Sequence, residues 1–294
     1  MKVSTTTGVL SQVFGFKKAL QIIKDAGFTA FDVSLFGENG LPPTPFDKDD
    51  YIEVAKEMRL FADKLGLPCN QSHAVFGSHL GAGKPDSVIF KGTVRCMEIA
   101  SIMGAKGIVI HPMQYLPYMS NVEFLKQENL EFYNDLLPYA EKLNIVMLTE
   151  NMWQNNPNNN NIIQSTCSEA KEFRDYVDMI NSPYLKACLD IGHTHLTGET
   201  LSNMISVLGK DRLKALHIHD VDGHHDNHTL PFLLNVDFGE MIENLAKIGY
   251  EGDITFEADG FIRRFPDPLK PSASKLMAEV GHYFKAEFEK LYHK

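Results

Sequence analysis

Eight times along this 294-residue chain, a short run of apolar, strand-forming residues is followed by a longer run with helical periodicity. The first four pairs are residues 2–7 with 16–26, 29–35 with 49–65, 68–73 with 87–103, and 107–111 with 122–143. The last four are 145–150 with 168–180, 184–190 with 200–208, 213–219 with 238–248, and 252–257 with 272–291. Gly27, Gly66, Gly104, Gly209 and Gly249 follow helical runs, where a helix commonly ends on a left-handed residue. Parallel strands buried on both faces read as continuous apolar runs and need a crossover helix between them. Eight such units predict one α/β domain over residues 1–294, a (β/α)8 barrel of the TIM type. A doubly wound open sheet uses the same alternation, and the count of eight favours the barrel.

The remaining composition sets boundaries on function. With 44% hydrophobic and 22% charged residues, the chain can bury a full core without staples. Its four cysteines (Cys69, Cys96, Cys167, Cys188) have no paired spacing and are expected to be reduced, as in a cytoplasmic protein. The start, MKVSTTTGVL, lacks a long apolar segment, so no signal peptide is expected, and no run is long enough to span a membrane. A net charge of −10 argues against a surface that attracts nucleic acid overall. The tract NNPNNNN at 155–161 is expected to be an irregular loop.

What stands at the strand ends carries the chemistry. The runs finish on His73, His111, Glu150, Asp190, His217 or His219, and Glu257, each after residues that should stay dry. In a barrel these positions converge on the C-terminal mouth, where active sites are built. Carboxylates crowded into one pocket repel each other unless a cation sits among them. Mixed imidazole and carboxylate ligands suit Mn2+, Zn2+, Co2+ or Fe2+ better than Ca2+. His193 lies one turn beyond Asp190, and a His-rich loop carries Asp226 and His228. His219 and His228 each read as a ligand, a substrate contact or a partner of a ligand. His224 and His225 are expected in solvent, and His79 and His195 away from the metal. Phe76 and Trp153 are candidate walls of a sugar pocket.

The ordered set Glu150, Asp190-x-x-His193, His217-x-His219-Asp220 and Glu257 resembles the xylose isomerase-like barrels from the first strand to the last. That family includes sugar and sugar-phosphate isomerases and epimerases, inosose dehydratase-like enzymes and type IV AP endonucleases. Its ketose 3-epimerase branch implies one divalent metal on Glu150, Asp190, His217 and Glu257, with Glu150 and Glu257 also acting as acid and base. The endonuclease branch implies three zinc ions, for which His73, His111, Glu150, Asp190, His193, His217, Asp226, His228 and Glu257 offer nine ligands.

The chain departs from both branches. The loop at 36–47 has no Lys or Arg, and only Lys84 is basic between His73 and Lys91, so the phosphate contacts of a duplex-binding face are missing. The arginine that ketose 3-epimerases carry soon after the strand-seven histidine is also absent, since none occurs between Arg212 and Arg263. The resemblance therefore implies a metal-dependent isomerase or epimerase of a keto sugar or sugar phosphate. It would abstract a proton next to a metal-bound carbonyl and form an enediolate, with Mn2+ expected first and Zn2+, Co2+ or Mg2+ open. A lyase or dehydratase working by β-elimination and a zinc phosphodiesterase are the alternatives. The partner is then a small sugar or polyol, with no nucleic acid or membrane, and a homo-oligomer stays open.

Overall fold

The computed structural model describes residues 1–37 and 39–292; Glu38, in the loop at 36–47, and His293 and Lys294 lie outside the described residues. Eight parallel strands form the wall: β1 (Val3–Thr5), β2 (Phe31–Ser34), β3 (Cys69–His73), β4 (Gly107–Val109), β5 (Val146–Glu150), β8 (Leu185–Asp190), β9 (Leu213–His217) and β10 (Ile254–Phe256). A hairpin, β6 (Trp153–Asn155) with β7 (Ile162–Gln164), interrupts the series after β5. Six strands pair in the order β2-β3-β4-β5-β8-β9, and β1 pairs with β10. Parallel bridges from Thr6 to Asp32 and from Ile218 to Phe256 join the two sets, so the ring closes as a (β/α)8 barrel.

The major outer helices are α2 (Phe16–Ala26), α3 (Tyr51–Leu65), α4 (Val88–Met103), α5 (Tyr118–Leu143), α6 (Ala170–Ile180), α8 (Leu201–Arg212), α9 (Phe238–Ile248) and α11 (Lys270–Tyr292). Their apolar stripes bury against the strands, as in α2, where Ala19, Leu20 and Ile23 are fully covered. Gly27 ends α2 at φ 103°, a left-handed turn that a side chain would strain. The helices α2 and α9 span the residues expected from periodicity. Elsewhere the two differ. Gly209 does not end its helix but kinks it at φ 61°, and α5 starts at Tyr118 with a break at Asn121. The asparagine-rich tract forms the expected loop, which joins β6 to β7 at the tip of their hairpin. Among the described residues no helix is long and apolar enough to cross a membrane. All four cysteines are free and buried.

The alternation of side chains along a strand explains the barrel interior. Val109, Leu148, Cys188 and Ala215 form a small apolar cluster. Two residues further along the same strands, or just past them, stand His111, Glu150, Asp190 and His217. Register places Glu150 beside Cys188, two residues before Asp190, and Asp190 directly beside His217. A dry layer therefore underlies a charged one, and Glu150, Asp190 and His217 are almost completely buried.

Candidate active site

Three short elements with no counterpart in the sequence reading shape the mouth: α1 (Gly8–Phe14), α7 (Ile191–Leu196) and α10 (Asp259–Arg263). They are too short for periodicity to reveal. Asp190 caps α7, accepting from the His193 amide at 2.6 Å, and so fixes the His193 imidazole against Asn151.

The expected residues converge. Ligand atoms of Glu150, Asp190, His217 and Glu257 all lie within 4.8 Å of one another. Within it, His217 Nδ1 lies 3.1 Å from Glu150 Oε1 and 2.9 Å from Glu257 Oε2, from strands three places apart in the ring. A second group, His73, His111 and Glu150, shares the same glutamate: His73 Nε2 and His111 Nε2 are 3.0 Å apart, and His111 Nε2 is 3.1 Å from Glu150 Oε2. A third group gathers His193, His219, Asp226 and His228. Asp226 Oδ2 lies 3.0 Å from His228 Nε2 and 3.3 Å from His193 Nε2.

Three of these histidines carry the mark of metal ligands. The far nitrogen of each donates to a main-chain carbonyl: His73 Nδ1 to Ala74 at 2.8 Å, His193 Nδ1 to Asn151 at 2.8 Å, and His228 Nδ1 to Glu257 at 2.7 Å. With that proton placed, a neutral ring presents the lone pair of Nε2 to the pocket. His193 and His228 aim it at a carboxylate, which repels unless a proton or cation lies between. Buried Asp226 Oδ1 and His217 Nε2 have no hydrogen-bond partner. This donor set fits a divalent cation bound by nitrogen and oxygen.

The protonation balance answers the same crowding. Burial would raise the Glu150 carboxyl, but the His217 and His111 imidazoles hold it well below the usual carboxylate range. Glu257 is lowered in the same way against burial, chiefly by His217. Burial, then His111, pushes His73 down to about 4, so its ring is neutral at physiological pH. His228 rises to about 10 despite burial because Asp226 faces it. Beneath His217, the fully buried Asp32 is raised to about 7 by desolvation, with its Oδ2 3.9 Å from His217 Nε2.

A cavity of about 510 Å3 opens above the cluster. Phe76 stacks on His111 with ring centroids 5.0 Å apart, and Trp153 donates from Nε1 to Asp226 at 3.2 Å. Both line the cavity. His224 and His225 are exposed in the loop, their amides bonded to Asp222, and His79 is also exposed. His219 is buried with Nε2 3.0 Å from Asp190 Oδ2. Phe36, Gln114, Met152, Asn227, Asp259 and Arg263 also form the cavity wall, although nothing at those positions in the sequence marks them. Among the described residues, Arg263 is the one Lys or Arg in that lining and comes from α10, after the eighth strand.

The chain belongs to the xylose isomerase-like TIM barrel family, whose model matches residues 20–278. A protein of Escherichia coli O157:H7 named fructoselysine 3-epimerase is 26% identical over 161 residues, 55% of each chain. The crystal structure of a D-tagatose 3-epimerase-like protein has a TM-score of 0.75 at 21% identity, covering 99% of both chains. That of the IOLI protein with a bound zinc atom has a TM-score of 0.72 at 16% identity, again over 99% of both.

Proposed function

We propose that this enzyme epimerises or isomerises a keto sugar, using a divalent cation held by Glu150, Asp190, His217 and Glu257. The observation that carries the reading is the convergence of those four ligands within 4.8 Å at the floor of a sugar-sized cavity. The names of the similar proteins, sugar 3-epimerases and a zinc-holding barrel, support it. Mn2+ is the first expectation, with Zn2+, Co2+ and Mg2+ as alternatives. When bound, such a cation acts as a Lewis acid that lowers the cost of proton loss beside a carbonyl.

The chain's own residues supply the rest. Glu150 and Glu257 are held ionised by their imidazole neighbours, so each is ready to accept a proton. One removes the proton from the carbon next to the carbonyl, and the other returns a proton to the opposite face. Glu257, 12% exposed against 1% for Glu150, has the freer approach to substrate. His111 and His193 orient hydroxyl groups, while Phe76 and Trp153 cover the apolar face of the sugar and keep water out. A departing group β to the same carbon would turn this proton abstraction into elimination.

Deuterium entry from D2O into the carbon-bound position of keto sugars tests the assignment. Glu257→Gln is expected to abolish exchange while the metal stays bound; full exchange by that variant would remove Glu257 from the chemistry. A second reading, a multinuclear zinc phosphodiesterase, is favoured by the His73–His111–Glu150 and His193–Asp226–His228 groups. Elemental analysis of protein purified without chelators decides between them. About one equivalent per chain supports the sugar reaction. Near three of zinc supports the phosphodiesterase.

A further inference from the structure

A second cavity, of about 680 Å3, adjoins the catalytic one and takes no part in the chemistry proposed above. Phe36 lines both. The rest of the partition is thin. Gly8, in the second cavity, sits so close to Asp259, in the first, that a Cβ there would lie 2.7 Å from Asp259 Oδ2 and 3.4 Å from Ser34 Oγ. Arg263, in the first, donates to Gln12, in the second, at 3.3 Å. One aromatic ring is shared by the two spaces, and one glycine and one exposed hydrogen bond bring their linings into contact. Any side chain at position 8 would thicken that wall.

The catalytic cavity by itself lies in the range that encloses a whole small ligand, roughly 300–1,000 Å3. A free hexose leaves the second cavity unused. Its wall is mostly carbon, from Phe14, Phe16, Phe46, Pro45 and Met58, which suits an aliphatic or aromatic chain. Gln12, Lys17, Lys18 and Thr44 add polar groups to that wall, and the Ser11 and Ser34 hydroxyls are buried without hydrogen-bond partners. Ser34 is 95% covered and stands at the end of β2. A buried hydroxyl left unpaired is costly.

We propose that the cavity beside Phe36 is a subsite for an extended, mainly apolar substituent on the sugar, so that the preferred substrate is a sugar conjugate rather than a free hexose. This rests on the sugar reading of the catalytic cavity. The sugar occupies the space above Glu150 and Glu257, and its substituent leaves between Phe36 and the Gly8–Asp259 contact.

Calorimetric binding of two homologous series to the protein as purified tests this. One series is the methyl, butyl and hexyl β-D-glucosides; the other is 1-deoxy-1-alkylamino-D-fructoses with the same three chains. A buried methylene contributes roughly fourfold in affinity, so at least one series should tighten by about tenfold or more from methyl to hexyl. In Ser11→Phe, and separately in Gln12→Trp at an exposed position, that hexyl-to-methyl ratio should collapse. A flat response to chain length in both series overturns the proposal, as does a ratio that survives in both variants. Deuterium exchange into 1-deoxy-1-methylamino-D-fructose and the other ketoses of that series, run in parallel, keeps the two ideas separate. Exchange without a chain-length effect retains the catalytic reading and rejects the subsite. A chain-length effect without exchange on any compound does the reverse.

Discussion

Gly192→Ala is the substitution for which helix propensity and the site predict opposite signs. Gly192 is the second residue of α7, and replacing a helical glycine by alanine ordinarily stabilises by up to about 1 kcal/mol. Here the added Cβ would lie 2.2 Å from His219 Cε1 and 2.7 Å from each ring nitrogen. The ring has nowhere to retreat, because its other face stacks on His228 with centroids 4.1 Å apart and planes 13° from parallel. It must leave Asp190, breaking contacts of 3.0 and 3.1 Å between fully buried groups. Leaving a buried polar pair unsatisfied costs about 1–3 kcal/mol, which offsets or outweighs the propensity gain and leaves a net loss of up to about 2 kcal/mol. Asp190 also loses the partner that orients it, and disturbing such a contact typically weakens metal binding by about 10- to 100-fold. Urea denaturation with chelator present measures the first effect, and competition against a coloured chelator measures the second. A variant that is more stable than the parent and binds metal equally well would refute the claim that His219 is wedged in place and orients Asp190.

Two further outcomes follow from the burial of charge. Chelating the metal should lower the thermal midpoint most at neutral pH, where Glu150 and Glu257 are ionised beside each other, and re-adding Mn2+ or Zn2+ should restore it; an unchanged midpoint would remove the cation from the site. Away from the site, Glu172 is raised above its ordinary 4.5 by desolvation, so the folded state favours its neutral form. The stability this group contributes is complete below about pH 4.5 and is lost as pH climbs through the raised value. Glu172→Gln keeps an acceptor for the Cys167 amide and should match the parent at pH 4 but exceed it at pH 8; denaturation midpoints that stay parallel across that range would contradict this.

The candidate ligands were legible because the signal was simple: an ionisable residue at the end of each dry run. His73, Glu150, Asp190 and His217 all fall at strand C-termini, and period-two alternation puts them inward together. Asp32 obeyed the same rule, as a single charge inside the run 29–35, yet was not singled out because it lies two residues before Ser34, at the strand end. The pairing of His193 with Asp226 and His228 was less readable, since it depends on a loop folding back over the mouth. Arg263 offered no local signal at all; a five-residue helix returns it to the cavity. The carbonyl contacts that set the ring tautomers are main-chain features, invisible to residue identity.

Trp153 is the only tryptophan in the chain, and its indole points at the carboxylate that joins His193 to His228. A cation arriving beside Asp226, or a sugar displacing water from it, alters the field across that one indole. The protein thus carries an optical probe in the wall of its own pocket, and its emission follows occupancy without a label or a coupled assay.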